Sequence, residues 1–354
     1  MQALMQELLL IAVQNQSSDL HLMVGSPPIF RNNGRLEVYN QAGPMEQEKL
    51  MALIVSLMNE NQKEIYIRDF EIDFSVSIPG KARFRANAYF QKGTPAISLR
   101  YIPDKIASID ELRLPSICHN ITKLKQGFVL VTGPTGAGKS STFAAIIDEI
   151  NQTRSEHIVT IEDPMEFLHV NKRSFISQRE LETDTKDWAH ALKSVLRQDP
   201  NIVYIGEMRD PETMAAAMTT AETGHLVFAT LHTNSAAQTI ERIVDSFPVS
   251  QQEQIVLQLS MVLEAVISQR LIPTKDGKRI VATEIMVVTP AVRNTIRENK
   301  TFQIDNIIQT SGNIGMRLIE QSLAELVNRG LVDRMVALEY SIRPSLLEKL
   351  LGNV

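Results

Sequence analysis

An eight-residue stretch limits this chain more than any other feature: Gly133, Pro134, Thr135, Gly136, Ala137, Gly138, Lys139 and Ser140. It follows a short apolar run at 128–131 and opens an amphipathic run at 139–150. This is the pattern G-x-x-x-x-G-K-[ST] in the strand–loop–helix setting that gives it meaning. Glycines let main-chain N–H groups close around a phosphate, and the N-terminus of the following helix adds partial positive charge. Lys139 then reaches the β- and γ-phosphates, and the Ser140 hydroxyl, with Ser141 beside it, completes a Mg²⁺ shell. The stretch therefore predicts an α/β domain that binds ATP with Mg²⁺.

The chain after residue 116 agrees. Apolar runs at 158–161, 202–205 and 226–229 have the length and composition of buried parallel strands. Helical spacing recurs at 186–197 and at 211–222, where Asp210 caps the first turn, Pro211 suits the first helical position and Gly224 lies past the end. A long amphipathic helix is expected at 251–270, with further helices at 290–298, 316–329 and 342–352. Ligands of open α/β sheets bind at strand ends. Two such ends carry acids: Glu162, with Asp163 and Glu166 close behind, and Glu207, preceded by Gly206 where a Walker B aspartate would stand. His225 and His232 flank the run 226–231. They fall on opposite faces of an extended chain, so a shared metal is rejected, and a γ-phosphate sensor is the better role for at least one of them.

The first hundred residues read as α+β. A helix at 3–14 precedes a strand at 20–24, a hairpin closed by Asn32, Asn33 and Gly34, and a helix near 46–60. Alternating runs at 70–78 and 81–90 are joined by Pro79 and Gly80. In the second, Ala82, Phe84, Ala86 and Ala88 share one face, while Arg83, Arg85, Asn87 and Tyr89 share the other. A strand at 96–102 carries Arg100, and 104–115, after Pro103, has linker character.

Composition removes several classes. The 354 residues carry a net charge of −5 and 5% aromatic residues, with one tryptophan, Trp188. That argues against a nucleic-acid motor, whose channel would be basic and aromatic. A single cysteine, Cys118, excludes an internal disulfide framework or a multi-thiolate zinc site. No apolar run approaches the ~20 residues that span a bilayer, and the first residues lack the basic region of a signal peptide. A cytoplasmic protein is expected.

Taken in order, these motifs resemble the type IV pilus retraction ATPases, the twitching-motility PilT family of the secretion ATPase superfamily. The resemblance is carried by Ser18–Leu22, Pro28–Gly34 and 83–87, then by the phosphate loop, 160–167 and 206–210. Residues 221–232, 269–273 and 291–298 complete it. It implies a PAS-like α+β domain over 1–103, a linker over 104–115, and a RecA-like P-loop ATPase domain over 116–354, assembled as a homohexameric ring. Carried over by motif, Glu162 is the general base, Glu207 acts at the Mg²⁺ shell, and His225 and His232 lie near the γ-phosphate. Arg83 and Arg100 are the arginine fingers, with Arg85 and Arg113 as weaker candidates. The lone cysteine favours retraction over assembly motors, which carry a tetracysteine zinc site. The implied partners are an inner-membrane pilus platform protein at the pilus base and a paralogous retraction ATPase. Two departures, Ala137 and Ser141 in place of the usual serine and threonine, leave the phosphate contacts intact. An accessory motor dependent on a partner and a non-hydrolysing adaptor stay open as alternatives.

Overall fold

The computed structural model describes residues 2–15, 17–32, 34–78, 81–102 and 105–352. They divide into two compact units, Met1–Lys105 with Pro164–Leu168, and Ile106–Asp163 with His169–Val354.

In the first unit, α1 (Gln2–Gln14) precedes β1 (Asp19–Met23), β2 (Ile29–Asn32) and β3 (Arg35–Val38). Then come α2 (Gln47–Val55), α3 (Glu60–Asp69), β4 (Glu71–Ile78), β5 (Ala82–Gln91) and β6 (Thr94–Ile102). The strands form one antiparallel sheet in the order β3-β2-β1-β6-β5-β4. Period-two alternation in β5 sends Phe84, Ala86 and Ala88 into a core with Leu20, Leu99, Leu8 and Leu50. The hairpin pairs Asn32 with Arg35. Asn33, the Pro79–Gly80 joint and Pro103 and Asp104 of the linker lie outside the described residues. The single helix expected near 46–60 is two. Asn59 starts α3 with a capping box: its Oδ1 accepts from the Gln62 N–H at 2.9 Å, and the Gln62 Oε1 accepts from the Asn59 N–H at 3.0 Å.

The second unit begins with α4 (Ile117–Ile121), β7 (Gly127–Thr132), α5 (Lys139–Thr153), β8 (His157–Glu162) and β9 (Phe175–Glu180). It continues with α6 (Trp188–Val195), β10 (Ile202–Ile205), α7 (Pro211–Glu222), β11 (Leu226–Leu231), α8 (Ala236–Asp245) and α9 (Val249–Val262). It closes with β12 (Leu263–Pro273), β13 (Arg279–Val287), α10 (Pro290–Arg297), α11 (Ile304–Thr310), α12 (Ile319–Asn328), α13 (Arg334–Tyr340) and α14 (Pro344–Leu351). Seven strands run in the order β13-β12-β7-β11-β10-β8-β9, parallel except for the antiparallel pair β12–β13. Strand β7 is covered on both faces. Phe128 and Leu130 enter one core with Ala217, Met218 and Leu259, while Val129 and Val131 enter another with Phe143 and Ile146.

The expected helix at 251–270 is corrected. Helix α9 ends at Val262, and the chain continues as β12 between β7 and β13. Val266 and Ile267 are fully buried there and pair with Met286 and Ile285 of a strand that periodicity did not foresee. Among the described residues, no helix is long and apolar enough to cross a membrane.

Candidate active site

Six parallel strands bring their carboxyl ends to one side of the seven-stranded sheet, and the predicted loop follows the interior, fully buried β7. Gly133, Pro134, Thr135, Gly136, Ala137 and Gly138 connect β7 to α5, with Gly138 in left-handed conformation as the N-cap. At Gly133 glycine is obligatory: φ is +143°, and an added Cβ would lie 2.3 Å from the Gln269 main-chain oxygen. The first N–H groups of α5, at Lys139, Ser140 and Ser141, have no partner within the helix and crown the loop.

Lys139 turns back on its own loop. Its Nζ donates to the Gly133 oxygen at 2.8 Å and to the Pro134 oxygen at 3.2 Å, and it stands 3.4 Å from His232 Nδ1. His232 Nε2 lies 3.1 Å from Glu207 Oε1, and Arg209 Nη2 donates to Glu207 Oε2 at 3.0 Å. His232 thus stands between the Lys139 ammonium and the Glu207 carboxylate, with Nδ1 facing the first and Nε2 the second. Burial pushes the Glu207 carboxyl up, but the Arg209 hydrogen bond and the nearby charges of Arg209 and His232 outweigh it and hold it below its ordinary range. Glu207 is thus kept as an anion.

Gly206 explains why the usual aspartate is missing. A Cβ there would sit 3.3 Å from the Glu162 Cα and 3.4 Å from the Ile161 oxygen. The acid is displaced by one residue, to the mouth of the sheet. Glu162 itself is buried, its Oε1 accepting from Thr160 Oγ1 at 2.8 Å and lying 3.4 Å from Gln178 Nε2.

The two histidines part company. Leu226 pairs with Gly127 and Leu231 with Thr132, so His232 follows the loop end of β11 and His225 precedes the opposite end. At ~3.3 Å per residue that separates them by roughly 20 Å. His225 stands instead beside Thr223 Oγ1 at 2.9 Å and the Thr220 oxygen at 3.1 Å, closing the end of α7. The expectation that it lies near the γ-phosphate is corrected for its own chain.

Of the arginines, Arg83 is 8% exposed, and its Nη2 donates to Ser75 Oγ at 2.7 Å. The flanking strand β4 supplies the hydroxyls of Ser75 and Ser77 to the guanidinium. Arg100 keeps 71% of its side chain exposed, its Nε donating to Asp19 Oδ1 at 2.9 Å. Arg85 lies directly opposite Arg100 in the sheet and 3.8 Å from Asp73. Arg113 belongs to the second unit. With Leu112, Leu114, Ala137, Gly138 and Leu271 it lines a cavity of about 490 Å³ beside the phosphate loop, room for the nucleoside part of a nucleotide.

Sequence reasoning included Gln269 in the stretch 269–273 but gave it no role at the loop. It is 1% exposed; its Nε2 donates to the Ala137 oxygen at 2.7 Å, and its Oε1 accepts from Thr142 Oγ1 at 2.9 Å. A polar residue closing an apolar strand-like run would have pointed to it, but the run had been read as helix.

The donor set suits Mg²⁺ held by one hydroxyl and one carboxylate. Ser140 opens α5 beside Lys139, whose neighbour His232 carries Glu207. Among the described residues no group of three His, Cys, Asp or Glu could hold a metal ion.

Comparison with known proteins agrees with this geometry. The profile of the family described as "Type II/IV secretion system protein" matches residues 2–282. The type IV pilus retraction ATPase PilT of Pseudomonas aeruginosa is 46% identical over 333 residues, covering 94% of this chain and 96% of that one. The type IV pilus ATPase PilU of the same organism is 37% identical and covers 92% of this chain and 85% of its own. The crystal structure of the pilus retraction motor PilT with bound ADP superposes with a TM-score of 0.90 at 43% identity, covering 97% of this chain and 98% of that one. This chain belongs to the type II/IV secretion system proteins and, within them, to the pilus retraction ATPases of the PilT family.

Proposed function

We propose that this chain is an ATP-driven motor that depolymerises type IV pili and so powers twitching motility. The observation that carries the reading is the constellation of the phosphate loop, Lys139, His232 and Glu207 at one sheet edge, in a chain 46% identical to PilT over almost its whole length. The loop amides would grip the β-phosphate. Lys139 would leave the Gly133 and Pro134 carbonyls, neutral acceptors, for phosphate oxygens that bear charge. Ser140 and Glu207 would hold Mg²⁺, which when bound supplies charge neutralisation at the β- and γ-oxygens. Glu162 would take the proton of the attacking water. His232, released by Lys139, would then turn to the γ-phosphate and report its loss.

The assembly is a homohexamer in this reading, with a PAS-like first unit and a RecA-like second one. An arginine finger comes from the first unit of a neighbouring copy. Arg100, exposed, is better suited to that role than Arg83, which would have to leave Ser75. The ring would work in the cytoplasm at the inner-membrane base of the pilus, against a platform protein, with or without a paralogous motor. Identity is lower to the type IV pilus ATPase PilU, 37% against 46% for the retraction ATPase PilT, which supports retraction as this chain's own activity.

Deleting the gene tests the proposal. Loss of retraction leaves more surface pili and no twitching. Bald cells would identify an assembly motor and refute it.

A further inference from the structure

One residue to which no role has been assigned above, Gln269 at the head of the stretch 269–273, touches the phosphate loop at both of its ends. The Gln269 main-chain oxygen occupies the space that a side chain at Gly133 would need, 2.3 Å from an ideal Cβ. Its side chain reaches the far end of the loop, where Nε2 donates to the Ala137 oxygen at 2.7 Å. The same amide is oriented from behind, because Oε1 accepts from Thr142 Oγ1, one turn into α5. All three side chains are out of water: Gln269 is 1% exposed, Thr142 1% and Ala137 3%. A buried amide with both ends engaged is fixed in one orientation, since a flip would set Nε2 against the hydroxyl and Oε1 against a carbonyl.

We propose that Gln269 is a positioning residue for ATP binding: a strut from β12 that holds the phosphate loop at the span its amides need to surround a phosphate. It touches the loop and not the reacting atoms. The next residue extends the connection, for Arg270 Nη1 donates to the Tyr340 oxygen of α13 at 2.6 Å. Strand β12 therefore ties the loop on one side to the C-terminal helices on the other. The inference rests on nucleotide being the ligand of this loop.

Two variants of the full chain separate a strut from a mere core residue. Gln269→Glu keeps the size and an acceptor for Thr142 but replaces the donor facing the Ala137 oxygen with a carboxylate. Gln269→Met keeps approximate size and removes both contacts. The probe is a fluorescent ADP derivative, titrated at pH 8 and pH 6, each result taken as a ratio to the parent at the same pH. Gln269→Glu is expected to bind about tenfold more weakly at pH 8, about 1.4 kcal/mol. It should return to within about threefold at pH 6, where the introduced carboxyl, its pKa raised by burial, regains a proton to donate. Gln269→Met is expected to be weak at both. Parental affinity in both variants at pH 8, or equal losses without recovery for Gln269→Glu, would overturn the proposal. A parent that binds no ADP would instead defeat the nucleotide reading itself.

Discussion

Glu284 of β13 offers a perturbation whose size can be worked from the structure. Its side chain is fully buried, and its Oε1 accepts from the Ala236 N–H at 2.8 Å, at the first residue of the helix that follows the His232 loop. Around it stand Arg343 at 3.6 Å, the buried Glu320 and Asp305, and Arg270 of the adjacent strand. Three carboxylates thus share two guanidinium groups. Burial pushes the Glu284 carboxyl up from 4.5 to about 7; the Ala236 N–H and Arg343 pull it down, while Asp305 and Glu320 push it further up. The folded chain therefore holds a proton there that the unfolded chain releases near its ordinary value. Between about pH 4.5 and 7 the native state binds more protons, so this contribution is complete below 4.5 and is lost as pH rises through 7. That displacement corresponds to about 3 kcal/mol. Gln cannot titrate, so Glu284→Gln should match the parent near pH 5 and exceed it by up to about 3 kcal/mol at pH 8. Urea unfolding followed by circular dichroism at pH 5, 6.5 and 8 measures the difference, in which titrating groups remote from this cluster cancel. Parallel pH profiles, or a variant weaker than the parent at pH 8, would refute the reasoning.

Three further outcomes follow from the loop and from the proposed arginine finger. Gly133→Ala sets a methyl against a main-chain oxygen at +143° φ, strain of about 1–3 kcal/mol that only movement of the loop relieves; ADP affinity should fall at least about tenfold in a fluorescence titration. Arg100→Ala should lower kcat by roughly 10³ while shifting stability by less than about 1 kcal/mol; Arg83→Ala should cost about 1–3 kcal/mol of stability through the Ser75 and Ser77 hydroxyls it leaves behind. Steady-state kinetics and urea melts on both variants check the contrast.

Much of the site was legible because its chemistry is local. The loop, its strand and its helix are consecutive, and glycine spacing is dictated by phosphate geometry. Glu162 and Glu207 could be found as acids ending apolar runs. The rest depended on contacts far apart in the chain. Strand β12 looked helical because apolar residues at 255, 256, 259, 263, 266 and 267 fit a period of 3.6 as well as a buried strand, and only pairing with residues 279–287 decides between them. The role of Gln269 was hidden by that choice. Arg83 and Arg100 had equal claims in the sequence; the hydroxyls of β4 bury one, and the edge of β1 leaves the other out. His225 and His232 flank one strand, and parallel pairing with β7 is what sends them to opposite ends of the sheet.

The central claim is that this cleft hydrolyses ATP, with a buried carboxylate drawing the proton from water. Phosphate release by the purified chain and by Glu162→Gln, with Mg²⁺ and saturating ATP, tests it most directly. The expected result is Mg²⁺-dependent turnover in the parent and a loss of roughly 10²–10⁴ in the variant, with nucleotide affinity retained. Turnover equal in the two proteins, or none in a parent that binds ATP, would contradict the account.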